Sequence, residues 1–521
     1  MVKYGNSLHH GIGVEVDIDA AASWYTKALE ADSEEVKPLV DEIVSEWTVK
    51  RPDDFKDASA ELSEMFKTYA EKENGDAQYC HGACLQVGAN GAEPDFDKAG
   101  KFFEKAGHQG HVLAQFFAGK YREKEEDYDK AAEWYGRAAS QGFAEAFFPA
   151  GFNYWRTREK GAENHPGWTE NISRWMAAAL EDGTNFATYY LGECYENGIG
   201  TAVDHVKARE MYELFCTAEE IVSPEDYSNE IGAAITSAQF SLGEAYAVWE
   251  EIESDPETAI SWYLKAADAG HPGAEYKIGL AYWNGFYYDE DQEQAVEWLL
   301  KSAGHGYAEA MEKLGNCYDE GIGDERYPVE ALFWLANAAA NGVEGLELDM
   351  ARLTDEVIEM NDEDFDRHAF DALEKAADVG VREAQYHVGL MYSPFSQQHF
   401  VEHDRKRGFE LLKAAAERDH YTAAFYVGEC YFKGEASGLF GFATSSEDDA
   451  EQWYIKATRS DDEDICGRAS ERLEQIAEIR ARREEKAREE AERKRQLKME
   501  REEERHQKKM NRIEERNAKS N

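Results

Sequence analysis

Cys80-His81-Gly82-Ala83-Cys84 places two thiols one helical turn apart with an imidazole between them, a spacing that could present two soft ligands to a metal ion. A tetrahedral site needs a second pair of ligands at zinc spacing, and none follows in the sequence. His9-His10 stands alone in the same way. The acidic runs Asp289-Glu290-Asp291 and Asp461-Asp462-Glu463-Asp464 lack the glycine and the ordered spacing of a calcium loop, and solvated acids and helix caps account for them. No metal ligand and no cofactor is therefore expected. Catalytic signatures are missing too: there is no P-loop, no His-Glu-x-x-His, no Gly-x-Ser-x-Gly and no strand followed by Gly-x-Gly-x-x-Gly. The 107 Asp and Glu give no spacing that singles out a carboxylate pair, so no catalytic residue is named.

The elements that would hold any site recur along the chain. Ala238-Gln-Phe-Ser-Leu242-Gly243-Glu-Ala-Tyr246 is followed by Ala274-Glu-Tyr-Lys-Ile278-Gly279-Leu-Ala-Tyr282 and Ala310-Met-Glu-Lys-Leu314-Gly315-Asn-Cys-Tyr318, with glycines 36 residues apart. The same Ala-to-Gly step of five residues joins Ala77 to Gly82, Ala114 to Gly119, Ala146 to Gly151, Ala187 to Gly192, Ala384 to Gly389 and Ala423 to Gly428. Apolar residues at offsets four, seven and eight draw one helical stripe. The glycine inside it costs about 1 kcal/mol against alanine, so it marks a close backbone approach. A second helix reads Ala, then Trp three residues on, then a basic and small residues, as in Ala131-Ala-Glu-Trp134-Tyr135-Gly-Arg137-Ala-Ala and Ala259-Ile-Ser-Trp262-Tyr263-Leu-Lys265-Ala-Ala; Trp24, Trp298, Trp334 and Trp453 take the same slot. That recurrence predicts core packing for Trp134, Trp262, Trp298 and Trp334. Gly142, Gly183, Gly270, Gly306, Gly342 and Gly380 follow the second helices, where a left-handed residue closes the last turn, and Asp255-Pro256-Glu257 opens one with an N-cap, a proline and an acid.

Taken together, Ala-x-x-x-Leu-Gly-x-x-Tyr, Gly-Ile-Gly and Ala-x-x-Trp-Tyr-x-Lys-Ala-Ala resemble the Sel-1-like repeat of the tetratricopeptide class, over residues 4 to 458. The resemblance implies an all-α fold: a right-handed superhelical solenoid of about eleven two-helix repeats, ending in a long charged C-terminal helix. The expected division is an incomplete first repeat over 1–30, inserted helices over 31–74, repeats over 75–213, an insertion at 214–236 that still looks helical, repeats over 237–342, an insertion or degenerate repeat at 343–366, repeats over 367–458 and the charged helix over 465–521. The chain opens at the inter-helix loop His10-Gly11-Ile12-Gly13 with its first helix nearly absent, as a displaced start would leave it. The loop is intact in Asn197-Gly198-Ile199-Gly200 and Glu320-Gly321-Ile322-Gly323 and remodelled after Tyr121 and Tyr392. Some bacterial members of the class carry disulfides, as the resemblance implies. Here Cys84, Cys194, Cys317 and Cys430 follow the repeat glycine by two residues, where Ala245 and Ala281 stand in other copies, so reduced, buried thiols are expected.

The formal charge is −50, and residues from Glu471 on hold 17 basic against 14 acidic side chains, so the preceding body carries −53. Such a field repels nucleic acid and anionic membranes and speeds encounters with basic partners. Neither an apolar leader segment within Met1 to Gly13 nor a run of 18 apolar residues occurs, and a cytoplasmic protein is expected. The expected function is a non-catalytic scaffold or adaptor, binding a basic or amphipathic protein segment. A hydrolase hidden in the remodelled stretches, or a homo-oligomeric structural protein, are the alternatives. Partner contacts should break the repeat rule, which selects Trp155, Trp168, Trp249, Trp283, Phe286, Tyr287 and Tyr288 at helix ends and in variable loops.

Overall fold

The computed structural model describes residues 1–158, 167–322, 325–360, 365–393, 404–433 and 446–518. Gly323, residues 394–403 in the stretch after Tyr392, four residues of the 343–366 segment and the last three residues lie outside them. The described residues are α-helical with short 3-10 turns, and one isolated bridge joins Ile322 to Glu325. The chain divides into two compact units, Met1–Ala274 and Glu275–Asn521.

In the first unit, helices pair in sequence order: Val2–His10 with Ile18–Glu30, Gly75–Val87 with Phe96–His108, Val112–Lys124 with Tyr128–Ser140, Phe147–Arg156 with Trp168–Glu181, Ala187–Asn197 with His205–Cys216, and Ile231–Val248 with Pro256–Asp268. The opening helix corrects the expectation of a nearly absent one. Its nine residues lack the repeat alanine but keep the glycine, and a Cβ on Gly5 would lie 2.6 Å from Tyr25 of the second helix. Helices Lys37–Trp47 and Ala60–Ala70 fill the 31–74 segment, burying Val40, Ile43, Val44, Leu62, Met65 and Phe66. The segment after Cys216 differs from its helical expectation: residues 217–224 are irregular, and only a 3-10 turn, Glu225–Glu230, precedes the next helix. Pro224 has no N–H to offer a helix, and the Asn185 side chain takes the backbone instead, accepting from Val222 N at 2.6 Å and donating to Glu220 O at 2.8 Å.

In the second unit, Ala308–Glu320 packs on Pro328–Ala340, Arg382–Tyr392 on Arg405–Glu417 and Tyr421–Phe432 on Glu447–Ala457, with Glu347–Ile358 and Arg367–Asp378 between them. The final helix, Glu463–Ala518, has 56 residues and is about 84 Å long. Ile465, Ala469 and Ile476 bury its first turns, and Arg472, Arg480 and Arg483 then pair with Glu429, Glu451 and Glu447. Beyond Arg483 its described side chains are exposed through Ile513.

The repeat glycine does what its cost in helix propensity implied. Built Cβ atoms would fall 2.7 Å from Tyr135 at Gly119, 2.5 Å from Tyr212 at Gly192, 2.9 Å from Leu299 at Gly279 and 2.8 Å from Tyr454 at Gly428. The facing residue is thus the one after the tryptophan slot. A step of one residue turns about 100° around a helix, which moves the tryptophans off the core axis. Trp134 is buried, Trp262 and Trp334 are half-buried and pack against the core, and Trp298 is half-buried, so the core expectation holds in full for Trp134 and in part for Trp262 and Trp334. Lys265 lies over Trp262 at 3.6 Å, Lys301 over Trp298 at 4.0 Å and Arg137 over Trp134 at 4.6 Å, so the basic residue three positions on covers the indole face.

Helix starts are equally regular. Asp17, Asp95, Asp204, Asp255 and Asp291 each accept the backbone N–H three residues on, at 2.9 to 3.1 Å. Three first helices use histidine: Nδ1 of His111, His271 and His420 accepts from Ala114, Ala274 and Ala423 at 3.1 to 3.2 Å. Each ring also stacks on an aromatic of the preceding first helix, Tyr79, Phe240 and Tyr386, at 4.2 to 4.3 Å.

Candidate partner-binding surface

Between helices Pro272–Trp283 and Gln292–Gly304 runs a loop in which Asn284-Gly285-Phe286-Tyr287 takes the place of Asn197-Gly198-Ile199-Gly200. The turn closes alike in both. Gly285 is left-handed at φ 60 and Phe286 N donates to Ala281 O at 3.2 Å, as Gly198 is left-handed at φ 68 and Ile199 N donates to Cys194 O at 2.9 Å. What differs is the side chain's fate. Ile199 is partly buried against the core, whereas Phe286 is 76% exposed and Tyr287 40%. Tyr288 stacks on Tyr282 at 4.2 Å, and its burial raises the phenol pKa. Trp283 is half-buried with Lys313 4.8 Å from its ring centre. Asp289, Glu290, Asp291 and Glu293 follow directly, and Asp291 doubles as the next helix's cap. An apolar, aromatic knob beside a row of acids can take an apolar side chain and neighbouring cations from one segment.

The other residues selected from the sequence are placed differently. Trp168 is 4% exposed and lies edge-on to Tyr154 at 4.7 Å, inside the helix packing. Trp155 is half-buried between Phe152 and Tyr190, with Arg158 4.3 Å from its ring centre. Trp249 is half-buried and stacks on His205 at 4.8 Å. Trp155, Trp168 and Trp249 belong to the first unit and Trp283 to Tyr288 to the second. Exposed apolar side chains occur in further inter-helix loops, at Ile12, Val14, Val16 and Val203.

A carboxylate cluster that the sequence did not reveal lies in the first unit. Glu123 accepts from the hydroxyls of Tyr135 at 2.9 Å and Tyr227 at 2.9 and 3.0 Å, and from Asn153 at 3.2 Å. Tyr227 comes from the 3-10 turn of the insertion, so this contact ties the insertion back to the repeat stack. The pocket beside it, of about 330 Å³, is lined by Lys120, Arg156, Asp226 and Glu230, whose charges pair as Lys120–Asp226 at 2.8 Å and Arg156–Glu230 at 3.7 Å. Glu193 and Glu196 have pKa values raised by burial, and both accept from Tyr212, at 3.3 and 2.6 Å. These acids are the acceptors that buried phenols require. Nothing in the geometry sets them up as an acid and base facing a substrate.

Cys80, Cys84, Cys194, Cys317 and Cys430 are buried, and Cys216 and Cys466 half-buried. Burial pushes the Cys80 thiol well up, Cys84 to about 11, and Cys194, Cys216 and Cys317 to about 12. The thiolate is the reactive form, so these groups hold about a hundredfold to a thousandfold less of it at neutral pH than an ordinary cysteine. Iodoacetamide at neutral pH should label Cys466 first in the folded protein and reach Cys80 and Cys84 only on unfolding. Mass-spectrometric mapping checks this, and fast labelling of Cys80 would contradict the burial.

Among the described residues no helix is long and apolar enough to cross a membrane. The Sel1 repeat model matches nine segments, residues 1–33, 75–111, 112–143, 185–219, 236–271, 272–307, 308–343, 382–420 and 422–462, more than half of the chain. The pair Phe147–Arg156 and Trp168–Glu181 lies outside them, although Gly151 still meets Met176 in it. No curated protein matches the chain. Among solved structures, c5321, a protective antigen of uropathogenic Escherichia coli strains displaying an SLR fold, is 22% identical over 80% of this chain and 90% of its own, at a TM-score of 0.30. A Sel1 repeat protein from Oxalobacter formigenes is 22% identical over 63% of this chain and 89% of its own, at a TM-score of 0.35. With nine matched copies, and a glycine meeting a large side chain of the paired helix in each of these repeats, the chain belongs to the Sel1 repeat family.

Proposed function

We propose that this protein is a non-catalytic scaffold or adaptor that holds a basic or amphipathic segment of another protein, with Phe286 and Tyr287 as the apolar contact and Trp283 and Tyr288 as their support. Sel1 repeat proteins are generally protein-interaction scaffolds, which favours this class over an enzyme. The exposure of Phe286, at 76%, carries the reading, because the isoleucine in the matching turn is partly buried against the core. An aromatic residue in water at a position where Ile199 packs inward, and where the exposed side chain of the first repeat is the smaller Ile12, offers a partner a large apolar anchor. The charge of −53 ahead of Glu471 and the acids that follow Tyr288 select for a cationic segment and against nucleic acid or an anionic membrane.

The test uses the full chain and its Phe286→Ser/Tyr287→Ser variant as parallel baits in lysate at low and moderate salt. Both replaced side chains face water, so the variant keeps its fold. A protein with a basic amphipathic segment, retained by the wild type, weakened by salt and bound about tenfold or more less tightly by the variant, is the expected result. An identical set of captured proteins on both baits would sink the assignment of this loop. Capture of no protein by either would sink the adaptor.

A further inference from the structure

His9-His10 is an isolated pair only in the sequence. Both residues occupy the last turn of helix Val2–His10, ahead of the left-handed Gly11. Their rings stack at 4.3 Å with 20° between planes. The inserted helix Lys37–Trp47 brings Glu42 to them, its Oε2 3.5 Å from His10 Nε2. One ligand atom from each of His9, His10 and Glu42 lies within 4.8 Å of the other two.

Three features suit this corner to a cation. His9 is 7% exposed and its Nδ1 lies 3.4 Å from the hydroxyl of Tyr25, a hydrogen bond that orients the ring as metal-bound imidazoles are oriented. Tyr25 is itself held by its fit against Gly5. The carbonyls at the end of the helix present its negative pole, and Glu46, one turn beyond Glu42, adds to the field that reaches His9.

We infer that His9, His10 and Glu42 form a site for a divalent transition-metal ion of the zinc type, which clips the first helix of the first repeat to the inserted helix Lys37–Trp47. Two imidazoles and one carboxylate favour zinc, cobalt or nickel over magnesium or calcium. Ligand atoms around a tetrahedral ion are about 3.3 Å apart, so the set closes by rotation of the two partly exposed side chains, His10 and Glu42, onto the fixed His9. The remaining coordination position is left to water.

The experiment titrates the full chain with zinc by calorimetry and with cobalt by its visible absorption, in excess magnesium so that scattered carboxylates are occupied. One equivalent should bind, with tetrahedral cobalt bands, and zinc should raise the thermal midpoint. His10→Gln and Glu42→Gln, at partly exposed positions and checked for unchanged helical circular dichroism, should each weaken binding about tenfold or more and abolish the thermal shift. The site is overturned if the wild type binds neither ion in magnesium, or if both variants bind as the wild type does.

Discussion

Replacing Gly192 with alanine is expected to destabilise the protein by about 1–3 kcal/mol, against the intrinsic gain of up to about 1 kcal/mol that alanine brings to a helix. The new methyl would stand 2.5 Å from Tyr212, which is fully buried and held by the 2.6 Å hydrogen bond from its hydroxyl to Glu196. The ring can retreat only by breaking that bond or by separating helices Ala187–Asn197 and His205–Cys216. Gly467, in the final helix, is the matched control, because nothing lies within 4 Å of its added Cβ. Gly467→Ala should therefore stabilise by about 0.5–1 kcal/mol. Unfolding followed by circular dichroism and by hydrogen exchange over the fourth matched segment, residues 185–219, and its neighbours separates local from global loss, since repeat arrays open in parts. A stable Gly192→Ala protein would show that the close approach does not organise the repeat.

The same interlock explains how far the sequence could be read. A glycine five residues after an alanine, repeated along the chain, is a local pattern with one packing consequence, and both the helix pairs and their order followed from it. The recurring tryptophans differ in depth, from the buried Trp134 to the half-buried Trp298. Recurrence marks a shared environment, and theirs is the half-exposed rim beneath a lysine or arginine, as at Trp262 and Trp298. Helix Val2–His10 escaped because its alanine slot falls outside the pattern while Gly5 and Leu8 persist. Contacts made across long separations left no trace at all: Tyr227 to Glu123 spans 104 residues, and Glu42 meets His10 only because an insertion folds back. Phe286 was selected from its place in a loop, but its exposure is a property of how the turn is packed, which spacing does not encode.

Acid should unfold this protein in the range where histidines titrate, before its carboxylates do. Burial holds His81 and His387 down to about 4 from their ordinary 6.5, with Lys67 adding to the effect at His81 and His420 at His387, while Glu64 and Glu383 oppose it. Burial also lowers His111, His271 and His420, whose neutral Nδ1 accepts the first helix's backbone N–H. A base with a lower pKa folded than unfolded is bound to fewer protons in the native state between the two values. Its stabilising contribution is full above 6.5 and is lost as pH falls toward 4. At about 1.4 kcal/mol for each pH unit, His81 and His387 together account for several kcal/mol over that interval. The thermal midpoint should thus drop steeply between pH 6.5 and pH 4, with a smaller further drop below as Glu429, whose pKa Arg472 and Tyr454 hold down, takes up its proton. His111→Asn supplies a cap without a titrating ring and should flatten the upper part of the profile. A midpoint that stays level from pH 7 to pH 5 and falls only with the carboxylates would show that these rings are protonated without loss in the native state.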